Sequence, residues 1–431
     1  MNPLPLSRIA QWTNGRLHGA DGTGDDVLIE VLFTDTRGFD ASDGRAALFV
    51  ALAGERFDGN DHVAAAAEAG ARAALVSRPA DVRIPQVVVQ DTGHALAAIA
   101  AAMQHGRPAR IAAITGSNGK TSVKQMLLAI MRQIGPSHAN PGNFNNEIGL
   151  PLSVIQCPED ARYAIYEMGA GKPGDIAWLT AVARPDVALV NNVAPAHLER
   201  MGSLLGVAAT KGAIYDALPA DGVAVINADD AFAQYFASRS HGRRVIRFGL
   251  EASADVTARD IHADEAGSRF TLVTPAGEAA VALPLPGRHN VANALAAAAM
   301  AIGMAEATPA AIATGLAAAE PVAGRLVRHR LAGGALLIDD SYNANPGSLA
   351  AAIQTLAATD GERWLVLGEM GELGDDAQAL HAGVGRRARD AGIERLYALG
   401  ALGRAAVDAF GEGGRHFTSH GELAGALRAD L

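Results

Sequence analysis

Val123, Met126, Leu127, Ile130 and Met131 stand at i, i+3, i+4, i+7 and i+8, the spacing that lays apolar side chains along one face of a helix. Just upstream, "IAAIT" (111–115) is a short apolar run closed by a glycine-containing turn, so this stretch reads as strand, loop and helix. The alternation recurs in "YAIYEM" (163–168), "VALVNNV" (187–193) and "VAVIN" (223–227), with helices such as Ser203 to Ala217 between them. Apolar strands separated by helices predict a parallel sheet covered on both faces. Before residue 107 the runs "LFTDTRGF", "AALFVALAG", "AALVS" and "VVVQ" predict a small α/β domain, with helices at His62 to Gly70 and Ala95 to Met103. After "PVAGRLVRHRL" a third alternation begins. "ALLIDD", "RWLVLG" and "RLYALG" read as strands, and Leu349, Ala352, Ile353 and Leu356 form the inward face of a helix.

The pattern therefore predicts an α/β protein of three domains. They are a small N-terminal α/β domain (1–107), a central phosphate-loop domain with a parallel sheet (108–320) and a C-terminal Rossmann-like domain (321–431). "HGRPAR" (105–110), with glycine and proline, reads as the first linker. No repeat of fixed period interrupts this reading.

Composition narrows the partners. The chain has 431 residues, 49% of them hydrophobic and 19% charged, with a formal net charge of -10. That balance argues against a nucleic-acid groove or an anionic membrane surface. The N-terminus has neither a basic region nor a long apolar core, and no window reaches the length of a membrane span. With one cysteine, Cys157, in an apolar neighbourhood, no intrachain disulfide is possible and the residue reads as packing. A cytoplasmic enzyme or switch is the expectation.

The loop "TGSNGKTS" carries the chemistry. A strand end, a glycine-containing turn and a helix start point backbone N–H groups and the positive end of the helix dipole at an anion, and Lys120 adds a full charge. The Thr121 hydroxyl can ligate Mg²⁺ on a nucleotide. The common spacing would place glycine five positions before Gly119, yet Ile114 stands there; the loop is tightened, with Gly116 as the earlier glycine. Beyond it, Glu167 ends a strand, where open α/β sheets place ligands. His197 follows the next strand, and Lys211 lies fourteen residues on, within a helix. Taken singly, these three read equally as a loop acid, an ordinary histidine and a solvated lysine.

Together the motifs resemble the ATP-dependent Mur ligases of peptidoglycan synthesis. The resemblance spans nearly the whole chain: "TDTRGF…LFVALAGERFDGNDHV", "TGSNGKTS", "NPGNFNNEIGLPLS", "YEMGA", "NNVAPAHLERMGS…KGAIYDAL", "LPGRHNVANALAA", "GRL" and "LIDDSYNANPGS…VLGEMGELG". The short phosphate loop is that family's form. "NFNNEIGLP" and "DDSYNANP" resemble the member that adds D-alanyl-D-alanine to UDP-N-acetylmuramoyl-tripeptide, converting ATP to ADP and phosphate.

The resemblance implies roles for individual residues. By it, Gly116, Ser117, Asn118, Gly119, Lys120, Thr121 and Ser122 hold the ATP phosphates. Thr121, Glu167, His197 and Lys211 serve two Mg²⁺ ions, with Lys211 carbamylated. His289 and Asn290 lie on the adenine side, and Arg325 and Asp339 reach the nucleotide from the C-terminal domain. Asp35, Thr36 and Arg37 take the UDP end of the substrate, and Asn145 and Asn146 its middle. Lys120, Lys211 and His197 are the catalytic set, in a monomer acting on small molecules.

The chemistry suits these residue types. Phosphorylating a peptide carboxylate gives an acyl phosphate that an amine can attack, and two Mg²⁺ with Lys120 and Arg325 can stabilise the charge that develops. Two rivals stand beside this reading: a sister ligase, of Mur or folylpolyglutamate type, with a different acceptor, and a nucleotide-dependent switch, which would need neither Lys211 nor the "TDTR" region. Family members run on past the last helix, whereas this chain stops at "GELAGALRADL"; a shorter C-terminal domain or a clipped sequence is expected.

Overall fold

The computed structural model describes residues 1–19, 26–39, 44–54, 56–195, 198–264 and 267–431. They form two compact units. One comprises residues 1–113, 136–168 and 177–185; the other comprises 114–135, 169–176 and 186–431.

In the first unit, five strands are ordered Arg16–His18, Gln86–Val88, Ala73–Val76, Ala47–Val50 and Val31–Phe33. The first pair is antiparallel and the rest are parallel. Phe49, Ala51, Val63, Ala66, Ala74 and Val76 are the centre of its core. The helix Thr92–His105 begins where Asp91 accepts the His94 N–H at 2.8 Å, an N-cap that satisfies an otherwise orphan donor. Ser137–Ala139 and Tyr163–Glu167 pair in parallel in the same unit.

In the second unit, Val187–Val190, Val223–Asn227 and Arg244–Phe248 run parallel. The helix Lys120–Arg132 buries the predicted face: Val123, Met126, Leu127, Ile130 and Met131 are all solvent-inaccessible. Against it packs the alanine-rich helix Arg288–Ala305. The helix Pro309–Ala317 packs on it as well, and a β-carbon on Gly315 would lie 2.3 Å from Ile130 Cα. Ser203 caps Leu204–Asp216, its hydroxyl accepting the Gly206 N–H.

Further along, Trp364–Leu367, Arg395–Leu399 and Gly414–Phe417 form a parallel three-stranded sheet with helices between the strands. Its core gathers Leu349, Ile353, Leu367, Val384, Leu396 and Phe410.

Three elements differ from the sequence reading. Residues 257–283 form an antiparallel three-stranded sheet that the pattern did not reveal. Leu336–Asp339 pairs antiparallel with Val327–Arg330 in a hairpin of its own. The predicted strand "LFTDTRGF" ends at Phe33, because Asp35 turns the chain into a short 3₁₀ segment, Thr36–Gly38. Cys157 is buried, as packing requires. No helix among the described residues is long and apolar enough to cross a membrane.

Candidate functional site

The phosphate loop is shaped by two glycines. Gly116 and Gly119 have φ of 149° and 79°, a region that favours glycine. A β-carbon at Gly119 would stand 2.4 Å from Asn293 Oδ1 and 2.6 Å from Asn191 Nδ2. The tightened spacing thus keeps a glycine at each point where neighbouring amides close on the backbone.

Hydrogen bonds fix the loop to the strand end beside it. Asn191 N–H donates to Thr115 O at 2.8 Å, and Ser117 N–H to Asn192 O at 3.0 Å. The Ser117 hydroxyl donates to Ala194 O and accepts the Ala194 N–H. Lys120 Nζ lies 2.8 Å from Gly116 O, folded over the loop it serves. Ser122 is half-buried on the first helical turn.

Thr121 is 8% exposed, and its hydroxyl oxygen accepts from Arg325 Nη2 at 3.0 Å. The Arg325 guanidinium also lies 4.4 Å from the Tyr342 ring centroid, a cation–π contact. Two adjacent aspartates follow, both half-buried; Asp339 accepts the Ser341 N–H, which holds its carboxyl below the ordinary value. At Asp340 burial pushes the carboxyl up to about 6, opposed by the Leu326 N–H and by Arg325. Asp339 is the one the resemblance assigns to the nucleotide; the charge of Arg325 acts on its neighbour, Asp340.

Lys211 is 2% exposed, within a helix that is apolar almost all round. Burial first, then the positive charge of Lys120, pull its ammonium down from 10.5 to about 7. The solvated-lysine reading is therefore excluded, and the amine is available uncharged near neutral pH. Evenly apolar surroundings in the sequence were the signal, because such a helix has no wet face.

Glu167 is 2% exposed, and its Oε1 accepts from Asn145 Nδ2 at 2.9 Å. Asn140 clamps the same strand end, accepting the Glu167 N–H and donating to its carbonyl. Asn146 does something different from Asn145. Its Oδ1 accepts the N–H groups of Ile148 and Gly149, opening the helix Gly149–Ile155.

Asp35 and Arg37 form an exposed ion pair at 2.7 Å, and the hydrogen bond from Arg37 holds the Asp35 carboxyl at about 2. Thr36 sits between them in the 3₁₀ turn. Burial brings the His289 imidazolium down to about 4, so that ring is neutral at physiological pH. Asn290 donates to Pro286 O at 2.8 Å. His197 lies outside the described residues.

The family models described as the Mur ligase family catalytic domain, the Mur ligase middle domain and the Mur ligase glutamate ligase domain match residues 36–118, 114–301 and 324–430. The chain is 46% identical over 429 residues to the UDP-N-acetylmuramoyl-tripeptide–D-alanyl-D-alanine ligase of Escherichia coli (strain K12), covering 99% of this chain and 92% of that protein. To the protein of the same name from Bacillus subtilis (strain 168) it is 34% identical, over 92% of this chain and 85% of that one. Among solved structures, MurF from Acinetobacter baumannii matches with a TM-score of 0.94 at 32% identity, covering 100% and 92% of the two chains. MurF ligase from Thermotoga maritima in complex with ADP matches with a TM-score of 0.81 at 25% identity, covering 93% and 91%.

Proposed function

The chain belongs to the Mur ligase family, and on that premise we propose that it joins D-alanyl-D-alanine to UDP-N-acetylmuramoyl-tripeptide with conversion of ATP to ADP and phosphate. The observation that carries the reading is the contact between Arg325 and Thr121. It brings a guanidinium from 204 positions away to the phosphate loop, where it can stabilise a transferring phosphoryl group. A switch can use such an arginine too, but it has no need of a lysine buried like Lys211.

The residues divide the task. Backbone N–H groups from Gly116 to Thr121, with Lys120, hold the phosphates. His289 and Asn290 lie toward the adenine. Asp35, Thr36 and Arg37 take the uridine diphosphate end of the second substrate, and Asn145 orients its middle by way of Glu167; Asn146 acts through the helix start it supports. Asp340, more than Asp339, steadies Arg325.

Two Mg²⁺ ions fit the oxygen donors in kind, since the Thr121 hydroxyl, the Glu167 carboxylate and a carbamate are hard ligands; His197 comes in from the family resemblance alone. Thr121, Glu167, His197 and a carbamate on Lys211 would hold them, and they would supply electrostatic stabilisation of phosphoryl transfer. Lys211 fits the carbamate because its amine is buried, faces another cation and is uncharged in appreciable fraction near pH 7. The tripeptide carboxylate takes the terminal phosphoryl group of ATP, releasing ADP. The dipeptide amine attacks that acyl carbon, kept from water, and the amide forms as the C–O bond to phosphate breaks and the amine gives up its proton.

We place this activity in the cytoplasm, carried out by a monomer. ADP release measured over a matrix of UDP-muramyl peptides and amine acceptors tests the assignment, with lysine and diaminopimelate forms of the tripeptide both included. Release should require a tripeptide and D-alanyl-D-alanine together. Turnover with free L-alanine, D-glutamate or diaminopimelate, and none with the dipeptide, would refute it.

A further inference from the structure

Amide side chains form a continuous line around the phosphate loop. Asn118 N–H donates to Asn192 Oδ1 at 2.8 Å, and its carbonyl accepts from Asn191 Nδ2 at 2.9 Å and Asn192 Nδ2 at 3.1 Å. Asn191 Nδ2 donates also to Asn293 Oδ1 at 3.0 Å. The line leaves the loop at Asn118 Oδ1, which accepts from Asn345 Nδ2 at 2.6 Å.

Asn345 uses its two ends for different structures. Its Oδ1 accepts the N–H groups of Gly347 and Ser348, and Ser348 Oγ accepts the Asn345 N–H in return, a capping box that opens the helix Pro346–Ala357. Serine, threonine or aspartate would serve that purpose equally well. The amide nitrogen has no part in the cap and goes to the phosphate loop instead. Asn345 is 6% exposed. A β-carbon on Gly347 would lie 2.9 Å from Asn118 Nδ2 and 3.2 Å from Ala194 Cβ, so the helix start is seated on the loop itself.

We propose that Asn345 is a positioning residue for the ligase reaction: its bond to Asn118 registers the helix Pro346–Ala357, and with it the segment carrying Arg325, on the phosphate loop. The proposal rests on the ligase reading above. Arg325 reaches Thr121 through one hydrogen bond and an aromatic face, and a long flexible side chain so held is placed only as well as the backbone that carries it. The Asn345–Asn118 bond fixes that backbone at a second point.

A double-mutant cycle on the full-length chain tests this, comparing the native protein, Asn345→Ser, Asn118→Ala and the double variant. Serine keeps the helix cap but cannot reach Asn118. Asn345→Ser should lower the melting temperature by no more than a few degrees while kcat at saturating substrates falls about 3- to 10-fold, the size of one neutral hydrogen bond. The double variant should be no slower than the slower single variant, a coupling that a cap alone would not produce. Native kcat in Asn345→Ser, or a double variant whose loss equals the product of the two single losses, would overturn the proposal. If the native protein releases no ADP with these substrates, the ligase reading fails. The same cycle is then read in ADP affinity, where coupling upholds the Asn345–Asn118 link and additive losses overturn it.

Discussion

Replacing Lys211 with methionine should abolish ligation and make the protein more stable. The side chain is 2% exposed, and its ammonium is brought from 10.5 down to about 7, by burial first and by Lys120 second. A lysine whose folded value is depressed lowers stability fully below that value, and the penalty disappears as pH rises past its unfolded value. Each pH unit between the two is worth about 1.4 kcal/mol. At pH 7 the folded amine is about half protonated and the unfolded amine fully so, which leaves a penalty of about 4 kcal/mol; at pH 9 about 2 kcal/mol remains. Methionine fills a similar space without an ion. Urea unfolding in bicarbonate-free buffer should therefore show Lys211→Met about 4 kcal/mol above the native protein at pH 7, with the gap halved by pH 9. Bicarbonate should then stabilise the native protein alone, by drawing the neutral amine into a carbamate. A native protein at least as stable as the variant at pH 7 would refute the buried-cation argument. A gap indifferent to bicarbonate would refute the carbamate.

Gly119→Ala forces a left-handed residue and drives a methyl group between Asn191 and Asn293. ADP affinity measured by calorimetry should fall by about tenfold or more, from roughly 1–2 kcal/mol of backbone strain plus the broken amide contact; native affinity would show that the loop is not so constrained. Gly315→Ala would ordinarily stabilise a helix by about 1 kcal/mol, but here its methyl group meets the Ile130 backbone. Urea unfolding should reveal a loss of about 1–3 kcal/mol, and a gain would contradict the close helix contact. Asp340 has a raised folded value of about 6, so its contribution to stability is present below the unfolded value near 3.8 and is lost as pH rises through 6. Unfolding of Asp340→Asn against the native protein should show the variant ahead above about pH 7, by under about 1 kcal/mol because solvent screens a half-exposed group. The same variant should lose activity as Arg325 loses its carboxylate, and a variant lagging in stability at high pH would count against the assignment.

The parts of the fold legible in the sequence were those with one dominant period. Residues 111–131 announced a strand, a turn and a helix, and the structure buries the five residues the spacing selects. The sheet at 257–283 was illegible for the opposite reason. Its first strand, "TARDIHAD", is exposed along most of its length and bulges between Arg259 and His262, so it carries no apolar alternation to find. The different surroundings of Asp339 and Asp340 were not legible either, because they depend on the hairpin with Val327–Arg330, a pairing that local pattern does not encode. Asn118 was named for the phosphate loop, but the bonds that join it to the asparagines at 191, 192, 293 and 345 left no trace. Amides have no charge to stand out, and the bond between Asn118 and Asn345 forms only when segments 227 positions apart come together.

Those long separations have a consequence for the chain while it is being made. Thr121 meets Arg325 across 204 positions, and Asn118 meets Asn345 across 227. At about 5–20 residues per second of synthesis, the loop's own residues are made about 10–40 seconds before its arginine, and Asn293, the last of the amides that close on it, about 2–6 seconds before. During that interval a nascent protein owns a cradle for nucleotide but not the cation that answers it. An unfinished chain can therefore hold ATP without being equipped to spend it.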